Sequence, residues 1–267
     1  MIPIGERING SFPDMKRAIA ARDKKPVQEL ALKQKEAGAA YLDCNVGTAA
    51  ADQEAAMRWL VETIQEVTDT PIAIDSQKLA VVRAGLDAID NPKGCIVNSC
   101  SGDEEKLDIY MPMCIKNNAS LIALTMTREG VPQNVEARVE VAATIIGKAS
   151  EHGMATDRLF IDPIILPVNI PGAQAQPGYI LDALGQIKIM TDPPVHITCG
   201  LSNLSQGTQE RHLINRTFLA MAAAVGLDSA IVDVLDTDLM DAWITAEMLL
   251  NKQIYSDSFL KAARMNM

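Results

Sequence analysis

Short apolar runs recur along this chain roughly every 32 residues, the length of one strand plus one crossover helix. They cover Ile2 to Ile4, Tyr41 to Asn45, Pro71 to Asp75, Cys95 to Asn98, Leu121 to Thr125, Leu159 to Asp162, His196 to Leu201 and Ala230 to Asp233. Several are continuously apolar, as in Cys95-Ile96-Val97 and Leu121-Ile122-Ala123-Leu124, which suits parallel strands buried on both faces. Helical spacing fills the intervals. Met57, Leu60, Val61, Ile64 and Val67 repeat at i, i+3, i+4, i+7 and i+10, one face of a helix. Pro26 opens another helix, with Val27, Leu30 and Leu32 inside it and Gly38 as its terminal glycine. Further helices are expected over Leu79 to Ile89, Glu104 to Asn118, Val135 to His152, Tyr179 to Met190, Leu213 to Val225 and Asp238 to Leu250, with more helix in the tail from Gln253 to Met267.

This alternation predicts an α/β fold, a (β/α)8 TIM barrel. A chain of 267 residues with 48% hydrophobic content suits one such domain spanning 1–267. A doubly wound open sheet is the alternative, and the lack of a dinucleotide glycine fingerprint lowers it. The net charge of -10 and the absence of a basic run argue against nucleic acid. No charged leader and no apolar stretch of about 18 residues occurs, so a cytoplasmic protein without membrane attachment is expected. The cysteines, Cys44, Cys95, Cys100, Cys114 and Cys199, form no CxxC pair; they read as reduced, small core residues. His152, His196 and His212 are scattered, and no metal site is expected.

In such a barrel all strands end at one face, so polar residues far apart in sequence meet in one pocket. Here the ends carry Glu6, Asn9, Asp43, Asn45, Asp75, Asn98, Thr125, Asp162, Ser202, Asn203 and Asp233. Asp75, Asn98 and Asp162 stand out. Carboxylates accept hydrogen bonds and an amide does both, matching a pyrimidinone-like ring with an exocyclic amine, a ring N–H and a carbonyl. Capping of the following helix is the ordinary explanation of each alone. After Asp162, residues 163–178 are rich in Pro and Gly and too long for a minimal turn, which fits a mobile surface loop or a lid. The polar loop from Asn203 to His212 brings Asn203, Ser205, Gln206, Gln209 and Arg211 to the rim.

Seven segments together resemble the pterin-binding methyltransferase family: Gly5-Glu6-Arg7-Ile8-Asn9-Gly10, Leu42-Asp43-Cys44-Asn45-Val46-Gly47, Ile74-Asp75-Ser76, Val97-Asn98-Ser99, Ile161-Asp162-Pro163-Ile164-Ile165-Leu166-Pro167, Gly200-Leu201-Ser202-Asn203-Leu204-Ser205-Gln206 and Leu213-Ile214-Asn215-Arg216-Thr217-Phe218-Leu219. The likeness runs from Ile4 to about Ser258. It is strongest to the methyltetrahydrofolate:corrinoid/iron-sulfur protein methyltransferases of acetogens and the tetrahydrofolate methyltransferases of corrinoid-dependent demethylation systems. Cobalamin-dependent methionine synthase and, more distantly, dihydropteroate synthase are similar.

The resemblance implies that Asp75, Asn98 and Asp162 hold the pterin ring of tetrahydrofolate or 5-methyltetrahydrofolate, with Gly200 and Ser202 beside it. It places Asn203 near N5, the atom that carries the methyl group, and Gln206 and Arg211 along the aminobenzoyl-glutamate tail. Asn203 and Asp75 are the implied catalytic residues; Glu6, Asn9, Asp43 and Asn45 have a contact, cap or network role. The corrinoid (cobalamin) arrives on a partner protein in a transient complex, since the chain has no Asp-x-His-x-x-Gly run, and a homodimer is implied. Methyl transfer in either direction shares one transition state, so pocket residues do not set the direction. Dihydropteroate synthase-like condensation is one alternative, weakened because strand 8 ends Val232-Asp233-Val234-Leu235-Asp236 rather than in basic residues. A noncatalytic pterin-binding subunit is the other.

Overall fold

In the computed structural model, which describes residues 1–90, 94–253 and 255, eight parallel strands form one sheet in the order β7-β6-β5-β4-β3-β2-β1-β8. The strands are β1 Ile2–Asn9, β2 Tyr41–Asn45, β3 Ile72–Asp75, β4 Cys95–Ser101, β5 Ala119–Leu124, β6 Leu159–Asp162, β7 His196–Ile197 and β8 Ser229–Val232. The helices are α1 Pro13–Ala21, α2 Lys24–Glu36, α3 Gln53–Gln65, α4 Leu79–Ala88, α5 Glu104–Lys116, α6 Val135–His152, α7 Gln176–Lys188, α8 Arg211–Ala224 and α9 Thr237–Leu249. The sheet closes on itself between β7 and β8. There Ile231 N donates to Cys199 O at 2.9 Å, and Gly200 bridges Ile231 in parallel. The expected TIM barrel is therefore present.

Two apolar shells explain the unbroken hydrophobic strands. Ile4, Ala73, Ile96, Ile122 and Phe160 fill the barrel interior, while their neighbours Leu42, Ile72, Ile74, Val97, Leu121 and Ile161 pack outward against the helices. Every cysteine is buried and free, as small apolar side chains in or beside these shells.

Several boundaries differ from those expected. β1 runs on through Glu6 and Arg7 to Asn9, with a register shift between Gly5 and Ile8; an apolar-run criterion stops at these polar residues, beyond which Ile8 and Asn9 resume pairing with Cys44 and Asn45. β7 is only His196–Ile197, because the chain leaves the sheet into a 3-10 turn over Leu201–Asn203. Asp23, not Pro26, starts α2: its carboxylate accepts from Lys25 N. Gly38, at φ +90, ends α2, with Gly38 N donating to Lys35 O and Ala39 N to Gln34 O, the paired bonds of a Schellman motif. α1 was not anticipated, and α7 begins at Gln176, so the loop after β6 is 163–175. Of the expected tail helix, residue 254 and residues 256–267 lie outside the described residues.

Candidate functional site

Side chains along a strand alternate between the two faces of the sheet, and here that rule builds the site. Two positions beyond each of several inward-facing residues stands a polar one at the barrel mouth. Ile4 leads to Glu6, Tyr41 to Asp43, Ala73 to Asp75, Ile96 to Asn98, Phe160 to Asp162 and Ile231 to Asp233. A polar layer thus caps an apolar barrel. Above it opens a cavity of about 500 Å³ with these polar residues in its wall and Leu124 and Ile231 as apolar lining.

The layer is cross-linked. Asn98 Nδ2 donates to Asp43 Oδ1 at 2.9 Å, leaving its carbonyl for a ligand. Asn45 Nδ2 donates to Asp75 Oδ2 at 2.6 Å, and Asn45 Oδ1 accepts from Gly47 N at 2.6 Å. Asn45 does not itself line the cavity; it holds Asp75. Asp162 Oδ1 accepts from Ile164 N at 2.7 Å, and the Gly200 amide also bonds this carboxylate. Ser202 Oγ donates to Glu6 Oε1 at 2.7 Å.

Burial dominates the electrostatics. It pushes Asp162 up to about 6 against the pull of two backbone amides. Glu6 rises to about 7, again chiefly through burial, with Ser202 pulling it down and Asp233 adding repulsion. Asp43 is raised well above the carboxylate range by burial and the nearby Asp75, and burial raises Asp75 too. Carboxyls this close cannot all ionise at neutral pH, so the layer retains protons.

At the rim, Arg211 opens α8, with Nε donating to Ser205 Oγ at 3.3 Å and Nη2 to Ser202 O at 3.2 Å. Asn9, Gly200, Ser202, Asn203 and Arg211 all line the cavity. Gln206 does not: it is exposed in the turn beyond Ser205, outside the lining. Residues 163–175, expected as a mobile segment or lid, contribute no lining, and the loop is anchored by Val168 N donating to Leu204 O at 2.9 Å. Residue patterns alone did not single out Arg7, Phe12, Asn215 or Asp236, which all line the cavity. The Arg7 guanidinium lies 4.1 Å from the Phe12 ring centroid. Asp233 was legible through the two-residue alternation; Asn215 is on a helix, where that signal does not exist. Among the described residues no cluster of His, Cys, Asp or Glu is arranged to hold a metal ion, and no helix is long and apolar enough to cross a membrane.

A closed parallel barrel with an acid and amide layer at its carboxyl end defines the class of pterin-pocket barrels. Residues 6–233 match the pterin binding enzyme family, and the chain belongs to that family. It is 32% identical over 268 residues to the methylcorrinoid:tetrahydrofolate methyltransferase of Eubacterium limosum, covering 99% of this chain and 96% of that protein. It is 30% identical over 243 residues to the methionine synthase of Mycobacterium leprae, covering 87% of this chain but 20% of that longer protein. Among solved structures it superimposes on dihydropteroate synthase of Yersinia pestis with TM-score 0.68 at 14% identity, over 94% of each chain. The Xanthomonas albilineans dihydropteroate synthase gives 0.68 at 18% identity, over 96% of this chain and 94% of that one. These two likenesses concern the fold.

Proposed function

We propose that this protein is a methyltransferase that moves a methyl group between N5 of tetrahydrofolate and the cobalt of a corrinoid carried by a partner protein. The observation that carries this reading is the cross-linked layer of Asp43, Asp75, Asn98 and Asp162 above an apolar barrel. The near full-length match to a methylcorrinoid:tetrahydrofolate methyltransferase supports it. Ionised Asp162 accepts from the amine and N–H edge of a pterin, Asn98 offers its free carbonyl, and Leu124 and Ile231 meet the ring faces. Asp233 and Asp236 in the cavity wall disfavour a pyrophosphate, hence a pterin condensation.

The corrinoid supplies the cobalt that exchanges the methyl group. The cavity of about 500 Å³ suits a pterin, so the larger macrocycle meets it from outside, on a partner docked transiently at the mouth. This chain contributes position and protons. N5 is a poor leaving group until it gains positive character. Asn203, exposed at the rim, and the protonated fraction of the Asp43–Asp75 pair favour protonation there. The protein is further proposed to act in the cytoplasm as a homodimer, in which exposed Leu213, Met221 and Leu249 of α8 and α9 supply apolar contact; sedimentation as a monomer at micromolar concentration would remove the dimer.

The decisive assay mixes the protein with tetrahydrofolate and methylcobalamin, or 5-methyltetrahydrofolate and reduced cobalamin, and follows corrinoid absorbance. Wild type is expected to convert the corrinoid. Asn203→Ala is expected to slow transfer about a hundredfold while tetrahydrofolate affinity changes little. No spectral change despite tight folate binding would favour a noncatalytic subunit, and near-normal turnover of Asn203→Ala would remove that residue from the mechanism.

A further inference from the structure

We infer that Glu6 is a positioning residue: from β1 it holds, through Ser202, the turn that carries Asn203, and so fixes Asn203 for the transfer step. This deepens the methyl-transfer reading above and rests on it. Ser202 Oγ donates to Glu6 Oε1 at 2.7 Å across 196 residues of sequence, and Asn203 is the next residue in the 3-10 turn Leu201–Asn203. The Asn203 side chain stands exposed at the rim. It folds back over the start of its own turn, since a Cβ at Gly200 would come within 3.0 Å of Asn203 Nδ2. The amide therefore goes where the turn goes.

That turn needs a tether. β7 ends at Ile197, and beyond the bridge from Gly200 to Ile231 residues 201–203 stand outside the ladder. Two carboxyls hold the turn from opposite sides. Asp162 at the end of β6 takes the Gly200 amide, and Glu6 of β1 takes the Ser202 hydroxyl. In the closed strand order β6 and β1 flank β7 and β8, so Glu6 reaches past the end of β8 to make its bond. Arg211 Nη2 meets the other polar end of the same residue, Ser202 O, at 3.2 Å. Asp75, Asn98 and Asp162 come from β3, β4 and β6, whereas β1 stands across the mouth from β5. Glu6 thus faces those three residues from the far side, and its printed bond leads to the turn rather than to them.

Hydrogen exchange of the full chain without substrate reads the tether, and corrinoid absorbance with tetrahydrofolate and methylcobalamin reads the transfer. The amides of Asn203, Leu204 and Gln206, each bonded within the turn at 3.2 Å, are expected to exchange about tenfold faster in Glu6→Ala and in Ser202→Ala. Glu6→Gln keeps an oxygen for Ser202 and is expected to exchange as wild type does. In turnover, Glu6→Ala is expected to lower kcat about tenfold while the KM for tetrahydrofolate moves by less than about twofold, and Glu6→Gln to recover most of the loss. Wild-type exchange in both alanine variants overturns the tether, whatever the activity. A Glu6→Ala loss that falls on KM, or that Glu6→Gln fails to recover, overturns the positioning role and makes Glu6 a direct contact or a proton source. A wild-type protein that leaves the corrinoid unchanged overturns the methyl-transfer reading, while the exchange result still decides whether Glu6 holds the turn.

Discussion

At the scale of single residues, burial rather than charge pairing sets the chemistry of Asp162. Its pKa of about 6 means that it becomes protonated as pH falls through that value, exchanging an acceptor for an O–H that opposes the N–H edge of a pterin. Tetrahydrofolate affinity is therefore expected to fall by up to about tenfold per pH unit once well below pH 6. In Asp162→Asn it is expected to be weak and without that step; a wild-type affinity independent of pH from 5 to 8 would contradict this. Gly10 shows a steric limit at the same scale. A Cβ there would lie 2.3 Å from Val46 O, a backbone atom that cannot swing aside. Gly10→Ala is expected to cost about 2 kcal/mol in urea unfolding, by forcing apart the ends of β1 and β2.

At the scale of elements, Arg138 ties α6 to both ends of the loop after β6. Its side chain is fully buried, and its guanidinium donates to Pro163 O at 3.1 Å, Asn134 O at 3.3 Å and Gln176 Oε1 at 2.5 Å. The turn it grips is strained: Ile164 has φ +58, a left-handed conformation that β-branched residues avoid. Arg138→Met leaves these three oxygens without their donors, and a loss of about 3 kcal/mol in urea unfolding is expected, with faster proteolysis within 163–175. Unchanged cleavage would show that the loop is held by its own packing. α1 was readable in principle, since Met15, Ala18 and Ile19 are its buried face, but so short a helix gives little periodic signal.

At the scale of the whole molecule, closure depends on the seam between β7 and β8, where the ladder is thinnest. Asp228 locks its lower end: it accepts from Lys188 Nζ at 2.7 Å and Ile197 N at 2.8 Å, and lies 3.0 Å from His196 Nδ1. His196 in turn stacks on Phe160 at 4.6 Å. Burial would raise the Asp228 carboxyl, but the bonds from His196, Lys188 and the Ile197 amide outweigh it and hold it low. A depressed carboxyl stabilises the fold above its unfolded pKa, and the contribution is lost as pH falls through the folded value. Asp228→Asn is therefore expected to lower stability at pH 7 and to flatten its loss toward pH 3. A parallel acid-unfolding curve in wild type and variant would exclude this role.

The order of the barrel was present in the sequence because strands buried on two faces must be apolar throughout and helices on one face must be periodic; these are local demands on composition. Asp75, Asn98 and Asp162 in the cavity wall were legible for the same reason, standing where apolar runs end. Strand limits in β1 and β7, and the division of labour among the polar residues, were not. Whether Asn45 touches a ligand or braces Asp75, and whether Gln206 faces the cavity, depends on side-chain direction across different elements. Asn215 and Arg138 belong to the same case: each lies on an ordinary amphipathic helix, and only the packing of that helix against the barrel gives one an open cavity and the other a buried turn to hold.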